Sequence, residues 1–587
     1  MSSPAQAEQT RPQKHAPARG GARSYAAPLA RVCRAGWPAI ALITAAAAAL
    51  RLARLGSVAN DPFYDAAVRS MGVSLHNFFF GAYEPGGSVS IDKPPVDLWL
   101  QVASVKLFGW SSTALKLPEA LAGTASVPLL YAAVRGPFGV LAGLIAAATM
   151  AVLPIEVITA RSDTMDAVMM MLLVLALLAA VRASETGRTA WLLAGAAALG
   201  LAFNVKLLES MVALPGLLVL ICLGMSRRSS SPAEDGRRHS RRRLAAQLAA
   251  ATAVYVVVAL SWLSATLLFA AHERPYAIGS SNGSAWNAAF VFNGSERLTG
   301  KAVEVGQATT TVAEHGGGVH RASVAATPIT PPSPTRLLAR SGQLPAKWLG
   351  WEALAALLLG IAVMISVARR GMGGVSRATA TGVFVWLLTG ILLFSEMARL
   401  HPRYVESFTP AVAGMFGIGV ALLAHSSPRG RLLALGLTAL LAIPLSTSIQ
   451  AVADLTSDAG DVGALNGAEQ RALSRYLLAH QAGARYELAA GASTSVASLI
   501  VQDQRPVLML TTYNGLPFTG VSKLQHLIAR GEVRYAFLNS RCGPSTPTTS
   551  AGCAPAALWV RAHATDVSRQ AGLRVSGILW RLPGVVP

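Results

Sequence analysis

The sequence predicts a polytopic α-helical membrane protein that ends in a small extracytoplasmic α/β domain. Three observations predict it. Apolar runs of membrane-spanning length recur from about Ala39 to Ser448, only 13% of the 587 residues are charged, and the arginines gather in short stretches between the runs. Soluble domains carry about 25% charged residues. The formal charge of +21 does not point to nucleic acid, because Arg11 to Arg34, Arg227 to Arg243, Arg369 to Arg377 and Arg429 to Arg431 are placed as short basic loops, the arrangement that keeps such loops in the cytoplasm.

A helix needs about 20 apolar residues to cross a bilayer. Eleven spans are expected, near 38–54, 113–134, 138–154, 164–183, 190–205, 210–226, 246–270, 348–368, 379–397, 405–425 and 431–449. Residues 1–36 form a basic, disordered cytoplasmic N-terminus, with no cleavable signal peptide expected, and 37–449 form the membrane domain. Alternation then places the loops after Arg135, Arg182, Met225, Ala368 and His425 in the cytoplasm, and each carries arginine. The same alternation leaves 55–112, 271–347 and 450–587 on the outer side.

In the first outer loop, Val96 to Phe108 is apolar but too short to span, and is expected to lie along the membrane surface. The second, with Gly316-Gly-Gly and Thr330-Pro-Pro-Ser-Pro334, is expected to be mobile. The tail 450–587 alternates helix (Ala468–Gln481), strand (Arg485–Leu488), helix (Ser493–Gln502), strand (Pro506–Leu510), helix (Val521–Ala529) and strand (Val533–Leu538). Cys542 and Cys553 lie close together in this tail, suited to a disulfide if it is outside, whereas Cys33 and Cys222 belong to or flank apolar runs.

Charged side chains at the ends of apolar runs are costly, so they are functional candidates. Four groups stand out. The first is Asn60-Asp-Pro-Phe-Tyr-Asp65 and the second Asp92-Lys-Pro-Pro95. The third is Arg161-Ser-Asp-Thr-Met-Asp166, whose Asp163 and Asp166 are spaced to share one helical face. The fourth joins Lys206 and Glu209 with Glu396, Arg399, His401, Arg403 and Glu406. Cations to hold a phosphate beside carboxylates to accept a proton suit a transferase that uses a phosphorylated lipid donor.

The ensemble resembles a known family. Asn60-Asp-Pro-Phe-Tyr, Arg69-Ser-Met, His76-Asn-Phe-Phe-Phe-Gly81, Asp92-Lys-Pro-Pro95 and Leu107-Phe-Gly109 are similar to the first outer loop of the bacterial protein O-mannosyltransferase and aminoarabinose transferase superfamily, the C-type glycosyltransferases. Arg161-Ser-Asp-Thr-Met-Asp166, Ala202-Phe-Asn-Val-Lys206, Arg274-Pro-Tyr-Ala-Ile-Gly279, Phe292-Asn-Gly294 and His401-Pro follow in the family's order, and Thr512-Tyr-Asn-Gly515 and Gly531-Glu-Val-Arg-Tyr535 resemble its outer domain.

The resemblance implies an enzyme of the bacterial cytoplasmic membrane that moves a mannose-like sugar or a pentose from a polyprenyl phosphate to an acceptor on the outer side. That acceptor is a protein, polysaccharide or glycolipid. It implies Asp61 as catalytic base, with Asp65 as substitute, and Lys93 with Arg161 or Arg403 on the donor phosphate. Asp65, Asp92, Asp163, Asp166, Lys206, Glu209 and His401 are further donor, acceptor or metal-site candidates, and a divalent metal shared by Asp61 and Asp163 is compatible with them. Two residues depart from the family: Asn60 stands where an acidic pair often begins, and Arg403 follows His401-Pro where an aromatic is usual.

Each candidate also has a structural reading. Asp61 suits a helix cap, Lys93 a lysine reaching toward headgroups, Asp163 and Asp166 a solvated helix start, and His401 a satisfied interfacial histidine. The alternative function is a lipid or solute transporter or flippase, which would carry its charges near the bilayer midplane and show internal repeats. Here the charges sit at span ends, with no repeat visible in the sequence.

Overall fold

The computed structural model describes residues 26–226, 234–300, 332–338, 348–370, 372–460, 465–492, 494–512, 517–538, 542–543 and 553–584. The expected disorder over most of 1–36, the expected mobile stretch around Gly316, and residues 513–515 of the segment that resembles the family's outer domain lie outside them. Among the described residues nine helices are long and apolar enough to cross a membrane, so the chain is a multi-pass membrane protein.

The difference from eleven spans has a geometric origin. Ser112–Val152 runs for 41 residues, about 60 Å at 1.5 Å per residue against a hydrocarbon core of about 30 Å. It breaks at Gly139, whose φ of 87° lies where only glycine is unstrained. After the break the helix packs back on itself, since a Cβ on Gly143 would lie 3.0 Å from the carbonyl oxygen of Tyr131. Thr189–Ser226 likewise contains two expected spans, separated by a tighter turn of helix over Leu207–Ala213. Each long segment therefore holds two of the expected spans.

Pro402–Ser426 is the central span, with 83% of its most apolar window buried, while Arg241–Thr266 at 11% lies on the rim. Lipid tails are as apolar as leucine, so helices in a bilayer are held by close packing at small residues. The helices Leu214–Ser226 and Gly374–Glu396 show this: a Cβ on Gly216 would lie 2.4 Å from the carbonyl oxygen of Gly382.

Between the first two spans the chain forms the helices Pro62–Met71 and Leu75–Phe80, then Val96–Phe108, the short apolar helix expected there. Strand β1 (Val89–Ser90) pairs in parallel with β2 (Tyr276–Ala277) and so ties this loop to the later one.

The tail holds a five-stranded sheet of β3 (Ala489–Ala490), β4 (Leu508–Met509), β5 (Tyr535–Phe537), β6 (Thr565–Asp566) and β7 (Leu579–Arg581), in the order β4-β3-β5-β7-β6. β3 runs parallel to β4 and β5, and β7 is antiparallel to β5 and β6. The helices Gly467–His480, Ala497–Asp503 and Val521–Ala529 fall where expected. The first strand does not: regular pairing begins at Ala489, because Tyr486 and Glu487 donate to Glu532 and Pro506 on different neighbours before the ladder starts. The helix Pro555–His563 and strands β6 and β7 were not anticipated.

The tail rests on the first loop. Glu84 accepts from the backbone N–H of Gly86 at 2.6 Å, Ser88 at 2.5 Å and Val507 at 3.3 Å, and Arg69 Nε donates to the Val501 carbonyl at 3.2 Å. Cys542 and Cys553 are disulfide-bonded across a separation of 11 residues. On the chain-entropy account a loop this short contributes about 3 kcal/mol. Replacing both cysteines by serine should therefore weaken hydrogen-exchange protection in β5 and β7 while leaving the membrane helices unaffected.

Candidate active site

The helix Pro62–Met71 begins where it does because Asp61 is extended and its Oδ1 accepts from the Phe63 N–H at 3.0 Å, with proline at the first helical position. Asp61 is 3% exposed. Its other oxygen, Oδ2, accepts from the Gly460 N–H at 3.0 Å, and its own N–H donates to both oxygens of Asp163, at 3.1 and 2.9 Å.

Asp163 and Asp166 do not share a helical face. The helix begins only at Asp166, and Asp163 lies in the turn before it. Asp166 instead pairs with Lys206, which also reaches Glu209 at 3.0 Å. The Asp163 carbonyl accepts from Gln101 Nε2 at 3.0 Å. Burial, then the charges of Asp65 and Asp61, push the Asp163 carboxyl well above the ordinary carboxylate range.

Asn60 works in both directions. Its Nδ2 donates to Asp65 at 2.8 Å, and its Oδ1 accepts from Ser112 Oγ at 2.6 Å and from the Lys116 ammonium. A carboxylate in its place would lose the donor and face Asp65 with like charge, which accounts for the asparagine. Burial, partly opposed by the Asn60 hydrogen bond, pushes Asp65 up to about 6. The folded protein therefore binds a proton between about pH 4 and 6 that the unfolded chain releases, and stability falls as pH rises through that window. Relative to Asp65→Asn, the wild-type melting temperature should drop between about pH 4 and 6 and run parallel above it.

Lys93 and Arg403 each have an acidic partner. Lys93 Nζ pairs with Asp92 at 2.7 Å. Burial alone would raise the Asp92 carboxyl, but the Lys93 ammonium and then the Arg297 guanidinium outweigh it and hold the group below its usual range. Arg403 Nη1 lies 3.4 Å from Asp458 and Nη2 3.3 Å from His401 Nε2. His401 is held well below its ordinary pKa by burial and by Arg403, Lys206, Arg297 and Lys93. His401 Nε2 thus accepts from the Arg403 guanidinium.

Residues 92–262 match the family described as "Dolichyl-phosphate-mannose-protein mannosyltransferase", and residues 473–563 match "Putative mannosyltransferase YkcB-like, C-terminal". Two Bacillus subtilis (strain 168) proteins are similar over 241 residues: "Putative mannosyltransferase YycA" at 36% identity, covering 41% of this chain and 33% of that one, and "Putative mannosyltransferase YkcB" at 35%, covering 41% and 32%. The match therefore spans about a third of the length of these curated relatives. The crystal structure of ArnT from Cupriavidus metallidurans in the apo state superposes with a TM-score of 0.53 at 16% identity, covering 88% of this chain and 94% of that one. The chain carries the C-type glycosyltransferase fold.

Within this C-type glycosyltransferase fold the expected residues divide. Asp61, Asp65, Asp163, His401 and Arg403 are linked through Asn60, Gly460 and Asp458. Asp166, Lys206 and Glu209 meet them at Tyr404, with Lys206 5.1 Å above its ring. Asp92 and Lys93 form a pair of their own, with Asn293 donating to the Asp92 carbonyl. Arg161 is turned away from these residues: Nη1 donates to the carbonyls of Leu50 at 3.0 Å and Ala53 at 2.6 Å, closing the end of the first span. For a metal, Asp61 and Asp163 are close, but every one of their carboxylate oxygens takes a backbone N–H. Among the described residues no group of three or more His, Cys, Asp or Glu is arranged to hold an ion.

Four participants escaped the sequence reading. Lys116, holding Asn60, and Glu119, accepting from the Val168 N–H at 3.1 Å, are fully buried charges inside an apolar run. That was a readable signal. Asp458 follows the last span and meets the same span-end criterion as the other candidates, whereas Gly460, which acts through its backbone N–H, carries no such signal.

Proposed function

We propose that this protein is a membrane glycosyltransferase that takes a sugar from a polyprenyl phosphate and passes it to an acceptor hydroxyl on the outer side of the bacterial cytoplasmic membrane. The observation that carries the proposal is the placing of Arg403, 3.4 Å from Asp458 and 3.3 Å from His401, beside the buried Asp61 and Asp163, which the same 458–460 segment reaches through the Gly460 N–H. A donor phosphate changes from one negative charge to two as the sugar leaves, and fixed cations in a dry site stabilise that change most where it develops. The family descriptions favour a mannose-like sugar.

The chemistry is a single inverting displacement. The acceptor oxygen attacks the anomeric carbon, its proton passes to Asp61, and the bond from that carbon to the phosphate oxygen breaks with its electron pair leaving on the lipid phosphate. Lys93 and Arg403 receive the new charge. Asp61 has its oxygens aimed by Phe63 and Gly460, which supplies positioning. Lys206 is committed to Asp166 and Glu209 and contributes field rather than contact. With the N-terminus cytoplasmic, the cluster and the tail share the outer side.

The test uses purified protein in detergent with radiolabelled polyprenyl-phosphate sugars and a cell-envelope acceptor extract. Transfer from one donor, lost in Asp61→Asn, is the expected result. Movement of lipid or solute across reconstituted vesicles with no donor consumed overturns it.

A further inference from the structure

The segment that follows the last span does not lead straight into the tail. It crosses the cluster and is pinned along its length. The Ala453 carbonyl accepts from Arg54 Nη1 at 2.9 Å, Ser457 Oγ donates to the Ala59 carbonyl at 3.2 Å, and the Gly460 N–H donates to Asp61 Oδ2 at 3.0 Å. Between these points Asp458 turns its carboxylate inward, with no exposed side-chain surface. One oxygen accepts from Ser162 Oγ; the other accepts from Thr164 Oγ1 at 3.3 Å and faces Arg403 Nη1 at 3.4 Å.

Two hydroxyls and a guanidinium are the donors a phosphate oxyanion would use. The contact with Arg403 is long, since charge-assisted N–H···O bonds are usually about 2.7–2.9 Å, so the carboxylate is held chiefly by Ser162 and only loosely by the arginine. Arg403 has its other terminal nitrogen on neutral His401, which leaves Asp458 as the anion on that guanidinium. A second anion there would meet like-charge repulsion.

Given the phosphate reading of the cations, on which this rests, we propose that Asp458 is an internal stand-in for the donor phosphate. Its carboxylate occupies Arg403 until a polyprenyl phosphate displaces it, so Asp458 sets donor affinity. Displacement also loosens the 453–460 strap from Asp61, and frees one oxygen of the base only when the donor is in place. Arrival of the donor and exposure of the base are thereby coupled, and hydrolysis of a half-bound donor is avoided.

The experiment measures binding of undecaprenyl phosphate in detergent micelles to the full chain, together with hydrogen exchange over 453–460. Asp458→Asn should bind about five-fold more tightly or better, in the range usual for coupled equilibria. Ser162→Ala, which releases the far oxygen without touching Arg403, should change binding in the same direction by less, and it carries the test if the first variant does not fold. Added lipid phosphate should raise exchange in the wild-type strap. Unchanged or weaker binding in both folded variants, or a strap that becomes more protected with ligand, overturns the proposal. If wild type and Arg403→Ala alike fail to bind the lipid phosphate, the phosphate reading itself falls, and the stand-in with it.

Discussion

Asp61→Asn should lower sugar transfer by about 10²–10⁴-fold, the span of a lost general base, with donor binding retained. The substitution is chosen against the structural alternative. Asp61 does cap the helix Pro62–Met71, but asparagine caps as well as aspartate, so the helix entry survives while the proton acceptor is removed. The Gly460 N–H then faces an amide that can rotate its oxygen to only one of its two partners, and a modest fall in melting temperature is expected. Asp61→Ala should add the capping cost of about 1 kcal/mol without further loss of transfer. A folded Asp61→Asn enzyme with wild-type turnover would end the assignment and leave Asp61 a cap.

Removing either cation should be nearly as damaging. Lys93→Ala and Arg403→Ala are each expected to reduce transfer by about 10²–10³-fold, with weaker binding of the lipid-phosphate product. Lys93→Ala also takes from the buried Asp92 its ion-pair partner and leaves only the weaker influence of Arg297, and removing one partner of a buried pair destabilises a fold. The double variant Asp92→Asn with Lys93→Ala separates the two effects: melting should recover and transfer should not. Recovery of both would mean that Lys93 serves only the ion pair. Arg161→Ala offers a contrast, since its head group closes the carbonyls of the first span, and its loss should lower stability while donor binding per folded molecule is kept.

Much of the site was legible because its residues break a local rule. Asp61, Asp65, Asp92, Lys93, Lys206 and Arg403 all stand at ends of apolar runs, where charge is costly without a purpose, and all but the paired Asp92 and Lys93 are linked in one cluster. Arg161 satisfies the same criterion and lies apart from it. In sequence, an arginine facing a phosphate and one closing a helix end look alike, because both are cations at the edge of an apolar run. The spacing of Asp163 and Asp166 misled for a related reason. A three-residue interval places two side chains on one face only if the helix includes both, and here Asp163 remains outside, held by the Asp61 N–H from another part of the chain.

The sequence by itself determined the membrane spans and most of the tail's elements, while the joining of four of those spans into two long helical segments came from the structure. The spans and elements follow from local physics: a backbone in hydrocarbon must bond to itself within a stretch of apolar side chains, a glycine permits the φ of 87° that breaks Ser112–Val152, and an alternating pattern reads as strand. Only the tertiary structure decided which charge meets which. Gly460 reaches Asp61 across 399 residues and Asp458 reaches Ser162 across 296. A buried charge is tolerable only with its partner in place, and such partners come from wherever the packed helices bring them.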